Sequence, residues 1–321
     1  MAATDSYAGG DGRLSPLSTP SATRAVLEAH GIGTKYTLGQ NFLVNDDVLK
    51  KIIALAEVGE NDRVLEVGPG IGTLTIALLK HAASVIAIER DPDLPAVLAD
   101  TLHPWREKFA LIEKDALDVT RDDIVAAMVE IGGDTGYPDR ASSAANETAQ
   151  WAVSQSEDCL SESGYPVAPP QEDLQLSLPS KLVANLPYAV AATVVLDYFE
   201  SFPFLDSATI MVQKEVADRM VAAVGTKNYG AYTVKLGLYA EPAGRFAVGP
   251  GNFFPPPRVD SAVIRLNRRV PLMADGAPAS PEVIAAAALM ADAAFTNRRK
   301  TIANSCKTYF SGRGPILLGV A

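Results

Sequence analysis

A glycine-rich turn between a buried strand and a helix constrains the fold of this chain more than any other feature. The run RVLEVGPGIGTLTIALLKHA places Gly68, Gly70 and Gly72 after a short apolar stretch and before one with helical periodicity. Glycines allow the backbone to turn tightly there and to approach a ligand closely. A strand, a tight turn and a helix in that order are typical of a sheet with helices packed on its faces.

The same alternation continues along the chain. Further apolar runs typical of buried strands are SVIAIE, FALIEKD, KLVANLPY and SATIMVQ. Helical patterns stand between them, and NDDVLKKIIALAEV before the first strand begins with Asn45 as an N-cap. Strands rich in Val and Ile that alternate with helices predict an α/β fold, with a doubly wound and mostly parallel sheet.

Three departures from the alternation set the predicted domain boundaries. Residues 1–20 predict a flexible N-terminal tail without a secretion signal. Residues 21–268 form the predicted main domain, and within it residues 131–179 are rich in Ser, Gly, Pro and acids, which predicts a mobile surface insertion or an acidic partner-binding arm. Residues 269–321 become helical again and predict a small C-terminal helical domain.

Charge is distributed unevenly. The net charge of −10 over 321 residues argues, by itself, against a nucleic-acid partner. Residues 121–180 contain eleven acids and two bases, whereas residues 261–321 contain eight bases and three acids. The acidity therefore belongs to the insertion, and the basic C-terminal end is compatible with a nucleic acid.

Composition excludes several classes of protein. No run of 18 apolar residues is present, so no membrane span is expected. Cys159 and Cys306 are the only cysteines, and the three histidines are scattered, so neither a disulfide framework nor a metal site is predicted. No long apolar stripe or heptad stands out. The sequence therefore predicts a cytoplasmic monomer without a membrane partner.

Acidic residues at the ends of neighbouring strands are placed as the hydrogen-bond acceptors that a nucleoside requires. Glu89 ends the second strand, 21 residues beyond Gly68, where a carboxylate can accept hydrogen bonds from both ribose hydroxyls. Asp115 ends the third strand, where it can face an adenine amino group. The turn lacks the Gly-Lys-Ser/Thr of a P-loop, and Thr73 stands where a dinucleotide fingerprint has its third glycine. Ribose and adenine contacts without a phosphate clamp favour S-adenosyl-L-methionine.

The fourth strand ends in Asn185, Leu186, Pro187 and Tyr188. The exocyclic amine of adenine is a poor nucleophile, because its lone pair is delocalised into the ring. The Asn185 side-chain oxygen and a main-chain carbonyl beside Pro187 are two acceptors that would draw this nitrogen toward tetrahedral geometry. Pro187 fixes the backbone direction, and Tyr188 offers a ring face for the base. Taken alone, these four residues are also compatible with an ordinary strand end and surface turn.

These motifs identify a family. From about residue 30 to about residue 305, apart from the insertion, the chain closely resembles the bacterial small-subunit (16S) ribosomal RNA adenine N6-dimethyltransferases. The similar segments are LGQNFLVN, VLEVGPGIGTLT, AIERD, EKDALD, NLPY, NFFPPPRVDSAVIRL and FTNRRKT. The resemblance implies methyl transfer from S-adenosyl-L-methionine to two adjacent adenines of a 16S rRNA hairpin loop, giving N6,N6-dimethyladenosine during ribosome biogenesis.

The resemblance also implies roles for individual positions. The implied cofactor-binding positions are Asn41, Leu43, Gly68, Gly70, Glu89, Asp115 and Asn185. The implied catalytic positions are Asn185, Leu186, Pro187, Tyr188 and Phe253, with Phe253 as a second ring against a flipped base and Phe254 as its alternative. Arg298, Arg299 and Lys300 are expected to open a helix and bind RNA phosphates, with Lys214, Arg219 and Lys227 extending that surface.

Two departures from the family pattern concern RNA binding. The acidic insertion is longer than the family's usual connection, and we expect it to point away from the RNA. The chain ends at GPILLGVA, where the family continues with more helix, which predicts a shortened C-terminal domain.

Other functions remain open at this point. A large-subunit rRNA adenine dimethyltransferase that confers antibiotic resistance shares the cofactor motifs, although FFPPPRVDSAV and FTNRRKT favour the small-subunit enzyme. A non-catalytic RNA-binding assembly factor would keep the same fold. A DNA adenine methyltransferase is disfavoured because no target-recognition domain is visible, and a nicotinamide dehydrogenase is disfavoured by the glycine spacing.

Overall fold

The computed structural model describes residues 12–34, 40–132, 178–297 and 299–310. The helices are Pro20–Ala29 (α1), Asp46–Ala56 (α2), Thr73–Leu79 (α3), Leu94–Thr101 (α4), Arg121–Gly132 (α5), Ala191–Ser201 (α6), Lys214–Met220 (α7), Ala231–Gly237 (α8), Pro281–Phe295 (α9) and Ile302–Tyr309 (α10). The strands are Phe42–Leu43 (β1), Arg63–Val67 (β2), Ser84–Ile88 (β3), Phe109–Ile112 (β4), Lys181–Asn185 (β5), Ser207–Gln213 (β6), Ala240–Val248 (β7), Phe253–Phe254 (β8) and Ser261–Arg268 (β9).

Seven strands form one sheet in the order β4-β3-β2-β5-β6-β9-β7. The first five strands of this order run parallel, and β9 lies antiparallel between β6 and β7. The predicted α/β fold with a doubly wound, mostly parallel sheet is therefore confirmed, and it is Rossmann-like. The sequence does not predict the β7–β9 pair, because AEPAGRFAV carries too many polar and small residues to be distinguished from a loop.

Helices cover both faces of the sheet. Neighbouring residues of β2 point to opposite faces, and Val64 and Leu65 are both completely buried. On one face, α5 and α6 pack against Leu65 and its neighbours, and on the other α1 to α4 pack against Val64. Burial on both sides explains why these strands are continuously apolar.

A short two-stranded ribbon lies over the glycine turn. β1 and β8 pair antiparallel, with Leu43 opposite Phe253. The Val44 N–H donates to the Asn252 carbonyl at 2.8 Å, and the Asn45 side-chain amide donates to Asn252 Oδ1 at 2.8 Å. Asn45 also accepts from the Asp47 N–H at 2.9 Å and so caps α2, as predicted. The ribbon ties the segment before α2 to the segment before β9.

The prediction of a flexible tail over residues 1–20 is wrong for its last part. Leu17 is buried at 1% exposure, and Asp46 Oδ1 accepts the Leu14 N–H at 2.8 Å. Thr19 accepts the Ala22 N–H at 3.1 Å and caps α1. The burial of Leu17 and the cap at Thr19 hold this segment in place. Residues 1–11 lie outside the described ranges.

Two regions of the predicted domain map are only partly described. Of the insertion predicted at 131–179, residues 133–177 lie outside the described ranges. Of the predicted C-terminal domain, α9 and α10 pack against each other, and the Lys235–Asp292 ion pair at 3.0 Å joins α8 to α9. Residues 311–321 also lie outside the description, so the domain boundaries stay predictions.

Arg268 caps the C-terminal end of α6, the helix that follows the Asn-Leu-Pro-Tyr segment. Its guanidinium donates to the carbonyls of Phe199, Phe202 and Leu205 at 2.9, 2.7 and 2.6 Å, at and beyond the end of α6. We expect Arg268→Ala to lower the free energy of unfolding by about 2–3 kcal/mol, because these carbonyls lose a charged donor. Urea denaturation measures this loss. Arg269→Ala, at an exposed neighbour, is the control and should cost less than about 0.5 kcal/mol. Equal losses in the two variants would contradict this role.

Candidate active site

A cavity of about 540 Å³ opens beyond the carboxyl ends of β2 to β6. It lies where the strand order reverses between β2 and β5, the place at which doubly wound sheets bind ligands. Its walls include ten of the residues predicted to bind or react: Asn41, Leu43, Gly68, Gly70, Glu89, Asp115, Asn185, Leu186, Pro187 and Tyr188. The fold thus brings together positions that are up to 147 residues apart in the sequence.

The glycine turn forms the floor of the cavity in a conformation that favours glycine. Gly68 and Gly70 have φ angles of +70° and +61°. A Cβ at Gly70 would stand 3.0 Å from Phe42 Cε1, and one at Gly68 would stand 3.5 Å from Pro187 Cδ. A side chain at Gly70 would press on Phe42 of β1, so this glycine lets the covering strand approach the turn. At Gly68 the contact with Pro187 would be an ordinary one, and the positive φ angle is what favours glycine.

Glu89 is held rigidly just beyond the end of β3. It is buried at 9% exposure, and its Oε1 accepts the N–H groups of Arg90 and Asp91, each at 2.9 Å. Burial raises the pKa of Glu89, and main-chain donors, including the N–H of Gly70, oppose that rise. A carboxylate fixed in this way is suited to accept hydrogen bonds from a ligand hydroxyl pair.

Asp115 is engaged on both oxygens. Oδ1 accepts the Leu117 N–H at 3.1 Å, and Oδ2 accepts Arg90 Nη1 at 2.8 Å. The Leu117 hydrogen bond and then Arg90 lower the pKa of Asp115, so it is a carboxylate at neutral pH. The sequence does not identify Arg90, which also lines the cavity. A ligand amine at Asp115 must therefore share a carboxylate oxygen with one of these two donors.

Glu66 is a second residue that sequence reasoning misses. It is buried at 1% exposure among the apolar residues that follow Arg63 in β2, and among the described residues its Oε2 has no hydrogen-bond partner. Burial raises the pKa of Glu66 to about 8; the neighbouring Thr75 hydroxyl opposes this rise, and the charge of Glu89 adds to it. The carboxyl therefore keeps its proton at neutral pH. One acid inside RVLEV is the signal that could have found it.

The Asn185 amide has one defined orientation. Its Nδ2 donates to the Asn41 main-chain carbonyl at 3.2 Å. Only the amide nitrogen can donate to a carbonyl, so Oδ1 stays available as an acceptor in a residue that lines the cavity. The bond connects the end of β5 to the segment that enters β1. The end of β5 and the segment before β1 therefore together determine which atom of the Asn185 amide can bind a ligand.

The structure identifies which main-chain carbonyl beside Pro187 is available to accept a hydrogen bond from the adenine amine. The Pro187 carbonyl accepts the N–H groups of Val190 and Ala191 at 3.2 and 3.1 Å, at the start of α6. Within the described part of the chain, no group donates to the carbonyl of Leu186. The free main-chain acceptor beside Pro187 is therefore that of Leu186.

Tyr188 is fixed by its hydroxyl. The ring is half-buried on the cavity wall, and its oxygen lies 2.7 Å from Oγ of Ser261, which is fully buried at the start of β9. Burial raises the pKa of Tyr188, so the hydroxyl stays neutral. A ring pinned at its tip presents a face of defined direction to a planar ligand.

The structure does not bring Phe253 to the cavity. Phe253 is buried at 4% exposure, pairs with Leu43 in the ribbon and packs in the core beneath it. In this arrangement alternation along β8 turns the Phe253 side chain inward, and its expected role as a second ring against a base stays a prediction. Phe254 is half-buried and lies 5.3 Å from the guanidinium carbon of Arg24.

The predicted RNA-binding cations stand apart from the cavity walls. Arg298 lies outside the described residues. Arg299 and Lys300 are exposed, but α10 begins only at Ile302, with Thr301 as its cap, so they precede the helix rather than open it. The three further cations are at the surface, where Lys214 pairs with Asp218, Arg219 pairs with Glu215, and Lys227 is exposed.

No helix in the described ranges is long and apolar enough to cross a bilayer. No cluster of three or more His, Cys, Asp or Glu residues in the same ranges could hold a metal ion.

Comparisons of the sequence with known proteins point to one family. The profile of the family described as ribosomal RNA adenine dimethylase matches residues 33–315. The chain is similar to a protein named ribosomal RNA small subunit methyltransferase A from Cutibacterium acnes, with 35% identity over 89% of this chain and 80% of that protein. A protein of the same name from Ligilactobacillus salivarius is 32% identical over 94% of this chain and 84% of its own length.

Solved structures support the fold alone. A dimethyladenosine transferase from Plasmodium falciparum superposes with a TM-score of 0.55 and 23% identity, over 83% of this chain and 74% of that one. A 23S rRNA methyltransferase superposes with a TM-score of 0.53 and 22% identity, over 85% of this chain and 86% of that one.

The buried proton of Glu66 predicts a pH dependence of stability. Between the model-compound value of 4.5 and about 8, the folded chain holds a proton that the unfolded chain has released. Stability is therefore lost as the pH rises through this window, by up to about 1.4 kcal/mol per pH unit. Glu66→Gln should remove this contribution, so urea denaturation from pH 5 to 8 should show a shallower decline than in the wild type. The exposed Glu60→Gln is the control, and equal slopes for wild type and Glu66→Gln would contradict the assignment.

Proposed function

The chain belongs to the ribosomal RNA adenine dimethylase family, and we propose that the cavity at the end of β5 is where it methylates adenine. Its activity is S-adenosyl-L-methionine-dependent dimethylation of adenine N6 in 16S rRNA. The observation that carries the placement of this activity is the pair of acceptors, Asn185 Oδ1 and the Leu186 carbonyl, beside the pinned Tyr188 ring.

The residues of the cavity fit S-adenosyl-L-methionine. The main chain at Gly68 and Gly70 leaves room for the ligand, and Glu89 is placed to accept hydrogen bonds from the ribose hydroxyls. Asp115 is placed to accept one from the adenine amine, next to Arg90. The neutral Glu66 lies beneath the turn and gives a buried polar atom that still lacks a partner. When bound, S-adenosyl-L-methionine supplies a methyl group made electrophilic by its sulfonium.

The second half of the site positions the target amine. Asn185 Oδ1 and the Leu186 carbonyl accept its two hydrogens, which rotates the nitrogen lone pair out of conjugation with the ring. Tyr188 stacks on the base and fixes its plane. Positioning of the nitrogen is the main catalytic task. Good orientation of two reactants lowers the activation free energy by several kcal/mol, about 7–11 kcal/mol in the best cases.

The choice of an amide at Asn185 has an electrostatic reason. A carboxylate would also accept hydrogen bonds, but it would stabilise the positive charge of the bound sulfonium before reaction. The amide accepts without adding charge. The amine becomes acidic once it carries the new methyl group, so the proton can leave afterwards without a strong base. This accounts for a site in which the residue that contacts the amine is uncharged.

The small subunit is the substrate that the comparisons favour. The curated relatives carry small-subunit names, whereas the likeness to a 23S rRNA methyltransferase shows a shared fold. We also propose that the protein acts as a cytoplasmic monomer on 16S rRNA. The sequence supports this through the absence of a long apolar stripe and through its basic C-terminal end.

A methyl-transfer assay tests the proposal. The purified protein and labelled S-adenosyl-L-methionine are incubated with small subunits that lack dimethyladenosine, with large subunits and bare DNA in parallel. Nucleoside analysis should show N6,N6-dimethyladenosine in the small subunit only. Label confined to the large subunit would indicate instead a large-subunit rRNA adenine dimethyltransferase of the kind that confers antibiotic resistance. Absence of label from every substrate would contradict the activity.

Asn185→Ala separates an enzyme from a binding protein. We expect kcat/KM on small subunits to fall at least about 100-fold, which is typical when one oriented polar group of a reaction centre is removed. Binding of S-adenosylhomocysteine and of the small subunit should change far less. Asn304→Ala, exposed in α10, is the matched control. An assembly factor that only binds RNA would be indifferent to Asn185→Ala, and full activity in this variant would contradict the mechanism.

A further inference from the structure

Gln213 lines the cavity, and its side chain does not cap the helix that follows it. It is the last residue of β6, it is half-buried, and it lines the cavity. It also occupies the N-cap position of α7, where a polar side chain often bonds to the helix. Its side chain makes no such bond. The simplest structural explanation for a polar residue at this position is thereby excluded.

The register of the sheet places Gln213 on the same face as Asn185. β5 and β6 pair in parallel, with Asn185 beside Met211. Side chains alternate along a strand, so Gln213, two residues beyond Met211, shares its face. Met211 packs in the same core cluster as Val183, two residues before Asn185, which confirms that these positions face one side. Asn185 and Gln213 therefore project from neighbouring strands into the same space.

The opposite neighbour of Gln213 is the residue that holds Tyr188. In the antiparallel pairing of β6 with β9, Gln213 stands directly opposite Ser261. Residues in such a position have Cβ atoms about 4.5–5.5 Å apart on the same face. The Ser261 hydroxyl lies 2.7 Å from the Tyr188 hydroxyl. Gln213 is thus beside the tip of the ring on which the base is proposed to stack.

The amide of Gln213 is free to bind a ligand. No hydrogen bond joins this side chain to any residue in the described part of the chain. A carboxamide has two donor hydrogens and an acceptor oxygen, and it matches the donor and acceptor edge of an adenine. The amide lies half-buried on the cavity wall, where a ligand can bond to its donors and its acceptor.

We propose that Gln213 recognises the Watson–Crick edge of the target adenine, with Nε2 donating a hydrogen bond to N1. This inference rests on the proposed function, because it presupposes that the base stacks on Tyr188 with its amine at Asn185. N1 is bonded to the carbon that carries the reacting amine. A donor on the strand next to Asn185 therefore reaches the ring atom next to the amine. Enzymes that flip a base commonly recognise it on this edge.

Atomic substitution of the substrate isolates this one hydrogen bond. Small subunits are assembled with 16S rRNA whose target hairpin is ligated from synthetic RNA, carrying adenine, 1-deazaadenine or 7-deazaadenine at the two target positions. The first analogue replaces N1 by C–H, and the second keeps N1 and replaces N7. Methyl transfer is measured for the wild type, Gln213→Ala and Gln213→Glu, with Glu241→Gln, exposed in β7, as the control.

With adenine, Gln213→Ala should lower kcat/KM about tenfold, the loss expected for one specific base contact. Gln213→Glu should lower it at least as much, because a carboxylate cannot donate to N1. With 1-deazaadenine, wild type and Gln213→Ala should agree within about twofold, since the contact is already absent. With 7-deazaadenine, the tenfold difference should persist. Affinity for S-adenosylhomocysteine should stay unchanged, which excludes a misfolded site.

Three outcomes would overturn the inference. Equal losses from Gln213→Ala on adenine and 1-deazaadenine would show a structural effect rather than a contact to N1. Disappearance of the difference on 7-deazaadenine would assign the contact to N7. Unaltered activity of Gln213→Ala on adenine would remove the contact altogether. If the wild type methylates no adenine-containing small subunit, the proposed function itself fails, and the inference falls with it.

Discussion

The hydrogen bond from Asn185 Nδ2 to the Asn41 carbonyl determines what this site can do. It uses one of the two donor hydrogens of the amide on the protein and leaves the oxygen available as an acceptor. The bond exists only because the segment before α2 is held over the sheet, by the β1–β8 ribbon and by the Asn45–Asn252 contact. Gly70 is part of the same arrangement, because a side chain there would meet Phe42. The chemistry therefore depends on a covering segment as well as on the end of β5.

Three carboxyl groups at neighbouring strands are held in different states by their surroundings. Glu66 is buried and keeps a proton, Glu89 is fixed by main-chain donors, and Asp115 is ionised beside Arg90. The site thus offers rigid acceptors for a nucleoside without placing three negative charges in one cavity. In the proposed mechanism the target amine is bonded by uncharged groups, which add no negative charge beside the positive methyl donor.

Much of this arrangement follows from the sequence, because parallel strands deliver their carboxyl ends to one edge. Glu89, Asp115 and Asn185 could be placed together for that reason alone. Phe253 could not, since its exposure depends on the pairing of two-residue strands that show no period. Gln213 ends β6, and the sequence alone does not single it out, because one polar residue there can be a helix cap or a ligand contact. Only the register with Ser261 and the absence of a capping bond resolve that ambiguity.

The most direct test of the central claim is a structure of the protein bound to the small subunit with S-adenosylhomocysteine. The target adenine should stack on Tyr188, with its amine about 2.7–3.2 Å from Asn185 Oδ1 and from the Leu186 carbonyl. The Asn185 nitrogen should still contact the Asn41 carbonyl. An adenine held elsewhere, or an amide turned so that its nitrogen faces the base, would contradict the account.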